Sequence, residues 1–106
     1  MTTDYIVVFS TIGSIASARR LATVLVEESL AACVNILTGA RSVYRWEGKI
    51  VDDEEVVMII KTTRAKFDAL ESRILALHEY DVPEILAVPA GPISASYEKF
   101  LSDNLS

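Results

Sequence analysis

The feature that most constrains this chain is a pair of long extended segments, residues 31–46 and 49–62, joined by Glu47-Gly48. Alternation is clearest at the end of the first, where Ser42, Tyr44 and Trp46 point one way and Val43 and Arg45 the other. Glu47-Gly48 is a tight-turn signal, so the second segment returns antiparallel to the first. Strands of about 14 residues each span ~46 Å at ~3.3 Å per residue. A compact domain of this length has a radius of gyration near ~13 Å and is only ~33 Å across. The hairpin therefore overhangs its own domain, and its exposed edges and free apolar face need covering by a neighbouring subunit. Oligomerisation follows from geometry, whereas the number of subunits does not.

The other elements fit around this hairpin. Residues 5–9 (YIVVF) are β-branched and aromatic and read as a buried strand. Ser14 is placed to cap a helix in which Ile15, Ala18, Ala22, Leu25 and Ser29 recur at spacings of three and four, with Val26 beside them. Thr38-Gly39 marks a bend or bulge in the first long strand, and the acidic run Asp52, Asp53, Glu54, Glu55 marks a bulge in the second. A second helix begins near Thr63 as its cap and runs to about His78, with Phe67, Leu70, Ile74 and Leu77 as its apolar stripe. Pro83 stops any continuation, residues 85–88 form a short strand, and a short last helix starts near Ser94 with Tyr97, Phe100 and Leu101 on one side. The order β-α-β-β-α-β places the chain in the α+β class, as a ferredoxin-like sandwich with a long β-hairpin and a short C-terminal helix.

Composition narrows the setting. At 106 residues with no composition break, residues 1–106 make one domain. Hydrophobic residues amount to 51% and mean hydropathy is +0.33, which is apolar for so small a surface-rich chain and places some of the excess on a subunit interface. A net charge of −5 argues against nucleic acid and against anionic membranes, both of which select clustered Lys and Arg. The longest apolar runs fall far short of the ~20 residues of a membrane helix. The N-terminus lacks a basic region followed by an apolar run, so no secretory signal is expected, and the single cysteine, Cys33, fits a reducing compartment. The expectation is a soluble cytoplasmic protein.

Several motifs then carry a resemblance. Residues 30–36 (LAACVNI), the spaced set Ser42-x-Tyr44-x-Trp46-x-Gly48-Lys49-Ile50, Ile60-Lys61-Thr62, and Leu77-His78-x-Tyr80-x-x-Pro83-Glu84-Ile85 occur in this order, and Tyr97-x-x-Phe100 closes the series. Together they closely resemble the CutA divalent-cation tolerance family over residues 5–101. Thr38 stands where many members have proline, and Phe100 where tryptophan is commoner. The resemblance implies a homotrimer with its sheets around the threefold axis, similar in architecture to PII signalling proteins. It also implies an association with copper and divalent-metal tolerance, no established enzymatic reaction, and no required cofactor beyond copper or another divalent cation as a species bound. The partners implied are the chain itself and metal ions.

The candidate site residues have competing readings. Cys33 is the obvious soft-metal ligand and matches a family position, but its AACVNI strand favours burial as a small hydrophobe. No second thiol exists in the subunit, so a multi-thiol copper site needs a ligand from another subunit. Met58 is soft in type and reads as core. His78, the sole histidine, is the second metal candidate, although a histidine ending a helix equally serves the dipole there. No H-x-x-x-H or C-x-x-C spacing supports zinc, and the acidic run lacks calcium-loop spacing, so a solvated bend is the favoured reading. Tyr44, Trp46, Lys61, Thr62 and Glu84 read as an interface cluster or as a small-ligand cleft between subunits, with Lys61 meeting an anion in a PII-like signalling alternative. A structural trimeric scaffold is the third reading. No nucleophile has an evident base and no phosphate-cradling glycine motif occurs, so the chain is not expected to be an enzyme.

Overall fold

The computed structural model describes residues 4–106, and among them the predicted element order is present. Strand β1 (Tyr5–Ile12) leads to helix α1 (Ile15–Glu27), then to the hairpin of β2 (Cys33–Trp46) and β3 (Lys49–Thr63). A 3-10 turn at Arg64–Lys66 enters α2 (Phe67–Leu77), and β4 (Leu86–Pro89) and α3 (Ala95–Asp103) complete the chain. The strands form one sheet in the order β2-β3-β1-β4, with every neighbouring pair antiparallel. This is the α+β, ferredoxin-like arrangement expected from the sequence.

Helices α1 and α2 cover one face of the sheet. Along β1 every second residue is buried, so Ile6, Val8 and Ile12 meet Met58 and Ile60 of β3 and Leu21, Leu25, Leu70 and Ile74 of the helices. Ser14 caps α1 as expected, its Oγ accepting from the Ser17 amide at 3.1 Å. The buried stripe of α1 is Ser17, Ala18, Leu21, Ala22 and Leu25, whereas Ile15 and Val26 are exposed. Thr63 makes no side-chain cap, because a 3-10 turn intervenes before α2 begins. A second, smaller core forms where Leu101 and Leu105 pack on Ala32, with Tyr5 and Ile93 against it.

The hairpin has the predicted overhang. The molecule measures 47 × 25 × 23 Å, so its long axis matches the length of the two strands rather than a compact body. Its turn has φ 49° at Glu47 and 79° at Gly48, the pair of positive values of a type I′ connection whose twist suits the strands. The bulge lies on β2 between Leu37 and Ala40, where Gly39 takes φ 83°. Register through the acidic run is continuous: Asp52, Asp53, Glu54 and Glu55 pair in sequence with Val43, Ser42, Arg41 and Ala40. A single irregularity on β2 is thus enough, and the bulge expected at the carboxylates is absent. Val43 and Ile50, beyond the body, are 66% and 63% exposed, which leaves apolar side chains uncovered on the projection.

Candidate functional site

Where the base of the hairpin passes the end of β1, it faces residues 79–84, and between them lies a cavity of about 760 Å³. Strand alternation puts Ser42, Tyr44 and Trp46 of β2 on the side lined by Asp53 and Glu55 of β3. The opposite wall comes from the segment after α2, including Tyr80 and Glu84. Two tyrosine–carboxylate pairs order the interior. Tyr44 Oη donates to Asp53 Oδ2 at 3.0 Å, and Tyr80 Oη donates to Glu55 Oε2 at 2.8 Å.

These pairs shift the phenols in one direction. Tyr80 is pushed well above the usual tyrosine range, first by burial and then by the Glu55 carboxylate, which holds the phenol proton. Tyr44 is raised by its hydrogen bond to Asp53. The lining holds five carboxylates, Asp53, Glu55, Glu79, Asp81 and Glu84, and no Lys, Arg or His. Its potential is therefore negative.

His78 shapes this wall. Its Nε2 lies 2.7 Å from the Thr11 carbonyl and its Nδ1 3.0 Å from the Tyr80 amide nitrogen. A carbonyl only accepts and an amide N–H only donates, so the proton sits on Nε2 and the Nδ1 lone pair receives Tyr80 N–H. Both ring nitrogens are thereby engaged by backbone, and the ring packs on Tyr80 with centroids 4.7 Å apart. The residue fastens the segment carrying Tyr80 to the end of β1, with neither nitrogen free for a metal in this arrangement.

Cys33 stands elsewhere. It pairs with Lys61, which pairs in turn with Val7, whereas His78 reaches Thr11, four residues further along β1 or about 13 Å at ~3.3 Å per residue. The two metal candidates do not meet within one subunit. Cys33 is half-buried, its Sγ 3.9 Å from Lys61 Nζ, and the same ammonium donates to Asn35 Oδ1. Burial and then the neighbouring Cys33 thiol raise Tyr97 above the usual range. Among the described residues no three His, Cys, Asp or Glu side chains converge as a metal site. A single thiol beside an ammonium does not by itself fit a soft-metal ligand set.

Of the five residues expected at a cleft, Tyr44, Trp46 and Glu84 line the cavity and Lys61 and Thr62 do not. Thr62 is fully buried, its Oγ1 donating to the Leu30 carbonyl at 2.7 Å, so it ties β3 to the end of α1 and reaches no cleft. Met58 is fully buried in the core. The residues missed are Glu55, Asp53 and Tyr80. With Trp46 opposite Lys49 across the turn, Ser42 falls opposite Asp53, and that register was a usable signal for joining Asp53 to Tyr44. Tyr80 arrives from an irregular segment and had no periodic signal.

Comparison with known proteins agrees with this architecture. Residues 6–104 match the family model described as CutA1 divalent ion tolerance protein. The divalent-cation tolerance protein CutA of Thermus thermophilus is 47% identical over 98 residues, covering 92% of this chain and 95% of the relative. The chloroplastic Protein CutA 1 of rice is 44% identical over 103 residues, and the chain spans 58% of its length. The crystal structure of CutA1 from Oryza sativa superposes with a TM-score of 0.95 at 43% identity, covering 99% of this chain and 96% of that one. The fold and the match along nearly the whole chain define a ferredoxin-like divalent-ion tolerance protein. The chain belongs to the CutA1 family.

Proposed function

We propose that this chain works as a cytoplasmic homotrimer that contributes to divalent-cation tolerance without catalysing a reaction. The observation that carries the assembly is the hairpin. It lies along the 47 Å long axis of the molecule, and its uncovered Val43, Trp46 and Ile50 leave an apolar projection that a neighbouring subunit would bury. The relatives' names supply the tolerance role, and the single cysteine supports a reducing compartment.

Copper or another divalent cation is the species bound on this reading, through Cys33 where a second subunit completes the ligand set. His78 contributes by holding the cavity wall. The alternative of a small anionic ligand fits the cavity poorly, because its lining is acidic and Lys61 lies outside it. Calorimetric titration of Cu(II), and of Cu(I) under reducing conditions, into wild-type and Cys33→Ser protein tests the metal reading. Stoichiometric binding lost in the variant is expected, and binding indifferent to the substitution would overturn the role of Cys33.

A further inference from the structure

The segment between α2 and β4 is tethered by very little backbone. Among the described residues, the Tyr80 amide is the only backbone N–H of residues 79–84 that makes a hydrogen bond, and its acceptor is the His78 ring, with Nδ1 at 3.0 Å. The other ring nitrogen, Nε2, meets the Thr11 carbonyl at 2.7 Å. His78 is itself fixed from behind, because its own amide bonds to the Ile74 carbonyl at 2.8 Å as the cap of α2. One half-buried imidazole thus joins α2, the end of β1 and the irregular segment.

This joint exists in one protonation state only. The Tyr80 N–H needs the lone pair on Nδ1, and that lone pair is present only in the neutral ring. A second proton, placed on Nδ1, sets N–H against N–H. The Thr11 bond survives, since Nε2 keeps its hydrogen, so the ring stays on β1 while the Tyr80 amide is released. The titratable groups around the ring are Glu79, Tyr80 and Asp81 of its own segment and Glu55 of β3, which accepts from the Tyr80 phenol; Tyr44 of β2 and Asp53 of β3 act on that phenol from further off. From β1 comes only the Thr11 carbonyl, and the one arginine of α2, Arg73, is taken by Glu28. Acidic neighbours accept a positive ring, so the cost of protonation falls on the Tyr80 hydrogen bond.

We propose that His78 is a proton-operated clasp, which holds residues 79–84 to the end of β1 at neutral pH and lets them go in acid. Imidazole is the side chain whose charge ordinarily changes between about pH 5 and 8, so the clasp works in a physiological range. Release frees the backbone that carries Tyr80, and the Tyr80–Glu55 bond is then left to position the segment alone. Every group of the clasp belongs to one protomer and Cys33 is not among them, so the device is separate from the copper reading and does not require it.

His78 is the only histidine, so its ring-proton NMR signal follows the titration without overlap. Hydrogen exchange of the Tyr80 amide in the full chain, compared at about pH 7.5 and about pH 5 and corrected for the intrinsic chemical rate, reads the clasp. Protection should fall at least about fivefold on acidification, the worth of one net hydrogen bond, with a midpoint that coincides with that of the His78 ring signal. His78→Asn should keep the protection at both pH values, because an Asn side chain accepts from the N–H two residues on and does not titrate. His78→Phe should lack it at both. Protection unchanged in acid, a midpoint that departs from the ring signal, or a His78→Asn variant as acid-sensitive as wild type would each overturn the proposal. If a variant fails to fold, the two midpoints in wild-type protein decide alone.

Discussion

Tyr80 Oη donates a hydrogen bond of 2.8 Å to Glu55 Oε2, joining the segment after α2 to the base of the hairpin. The phenol proton is held by burial and by the carboxylate, so the folded protein keeps Tyr80 neutral to higher pH than the unfolded chain does. Stability from this pair is fully present below the ordinary tyrosine value and is lost as pH rises from there toward the folded value. Among the four tyrosines Tyr80 should ionise last in an ultraviolet alkaline titration. Tyr80→Phe should remove that last step and cost about 1 kcal/mol in denaturant unfolding, the 38% exposure of Tyr80 holding the loss below that of a fully buried charged bond. A last step unchanged in Tyr80→Phe would contradict the pairing.

Arg73 and Glu28 connect α2 to the end of α1 through three hydrogen bonds, the shortest 2.8 Å. The guanidinium beside Glu28 holds its carboxyl below the usual range. A lowered carboxylate value stabilises the fold above the unfolded value and ceases to do so as pH falls through the folded value. Arg73→Gln should therefore lower the melting temperature slightly at neutral pH, and the difference should vanish under acid conditions. A difference that persists or grows in acid would show that Arg73 acts through packing instead.

Ser29 ends α1 with φ 57°, the left-handed conformation that glycine adopts without strain. The Leu30 amide bonds to the Leu25 carbonyl and the Ser29 amide to the Val26 carbonyl, the two bonds of a Schellman termination. Ser29→Gly should relieve the strain and stabilise the protein by about 1 kcal/mol in denaturant unfolding, the lower end of the left-handed penalty. The Lys66 bond to the Ser29 carbonyl is made to backbone and survives the change. A destabilised variant would mean that the termination is not rigid in solution.

Much of this fold was legible because its signals are local. YIVVF, the Ser14 cap and the Glu47-Gly48 turn each set one element through short-range chemistry, and together they order the sheet. The α1 stripe was read in part: Ala18, Ala22 and Leu25 are buried as expected, but Ile15 in the first turn and Val26 in the last are exposed, and Ser17 and Leu21 take the remaining buried places. The bulge read at Thr38-Gly39 is present, but a second one was assigned to the carboxylates because charge was taken to interrupt pairing. On a projecting hairpin charge is solvated along a regular ladder, and the one irregularity stays at Gly39, which tolerates positive φ.

The site was legible only on its strand side. Tyr44 and Trp46 follow from alternation, but Glu55 is buried by a tertiary contact with Tyr80 that no periodicity records. Thr62 looked like a site residue because it is a polar member of the Ile60-Lys61-Thr62 motif. Its place on the core side of β3 turns the same hydroxyl inward to the Leu30 carbonyl.

A hairpin that projects with apolar side chains uncovered requires assembly, and the molar mass in dilute solution reads that assembly out. Light scattering on the full chain should give three times the 11.6 kDa of one protomer. A mass of one protomer would rule out the homotrimer, because the apolar projection would then stand in water with nothing to cover it.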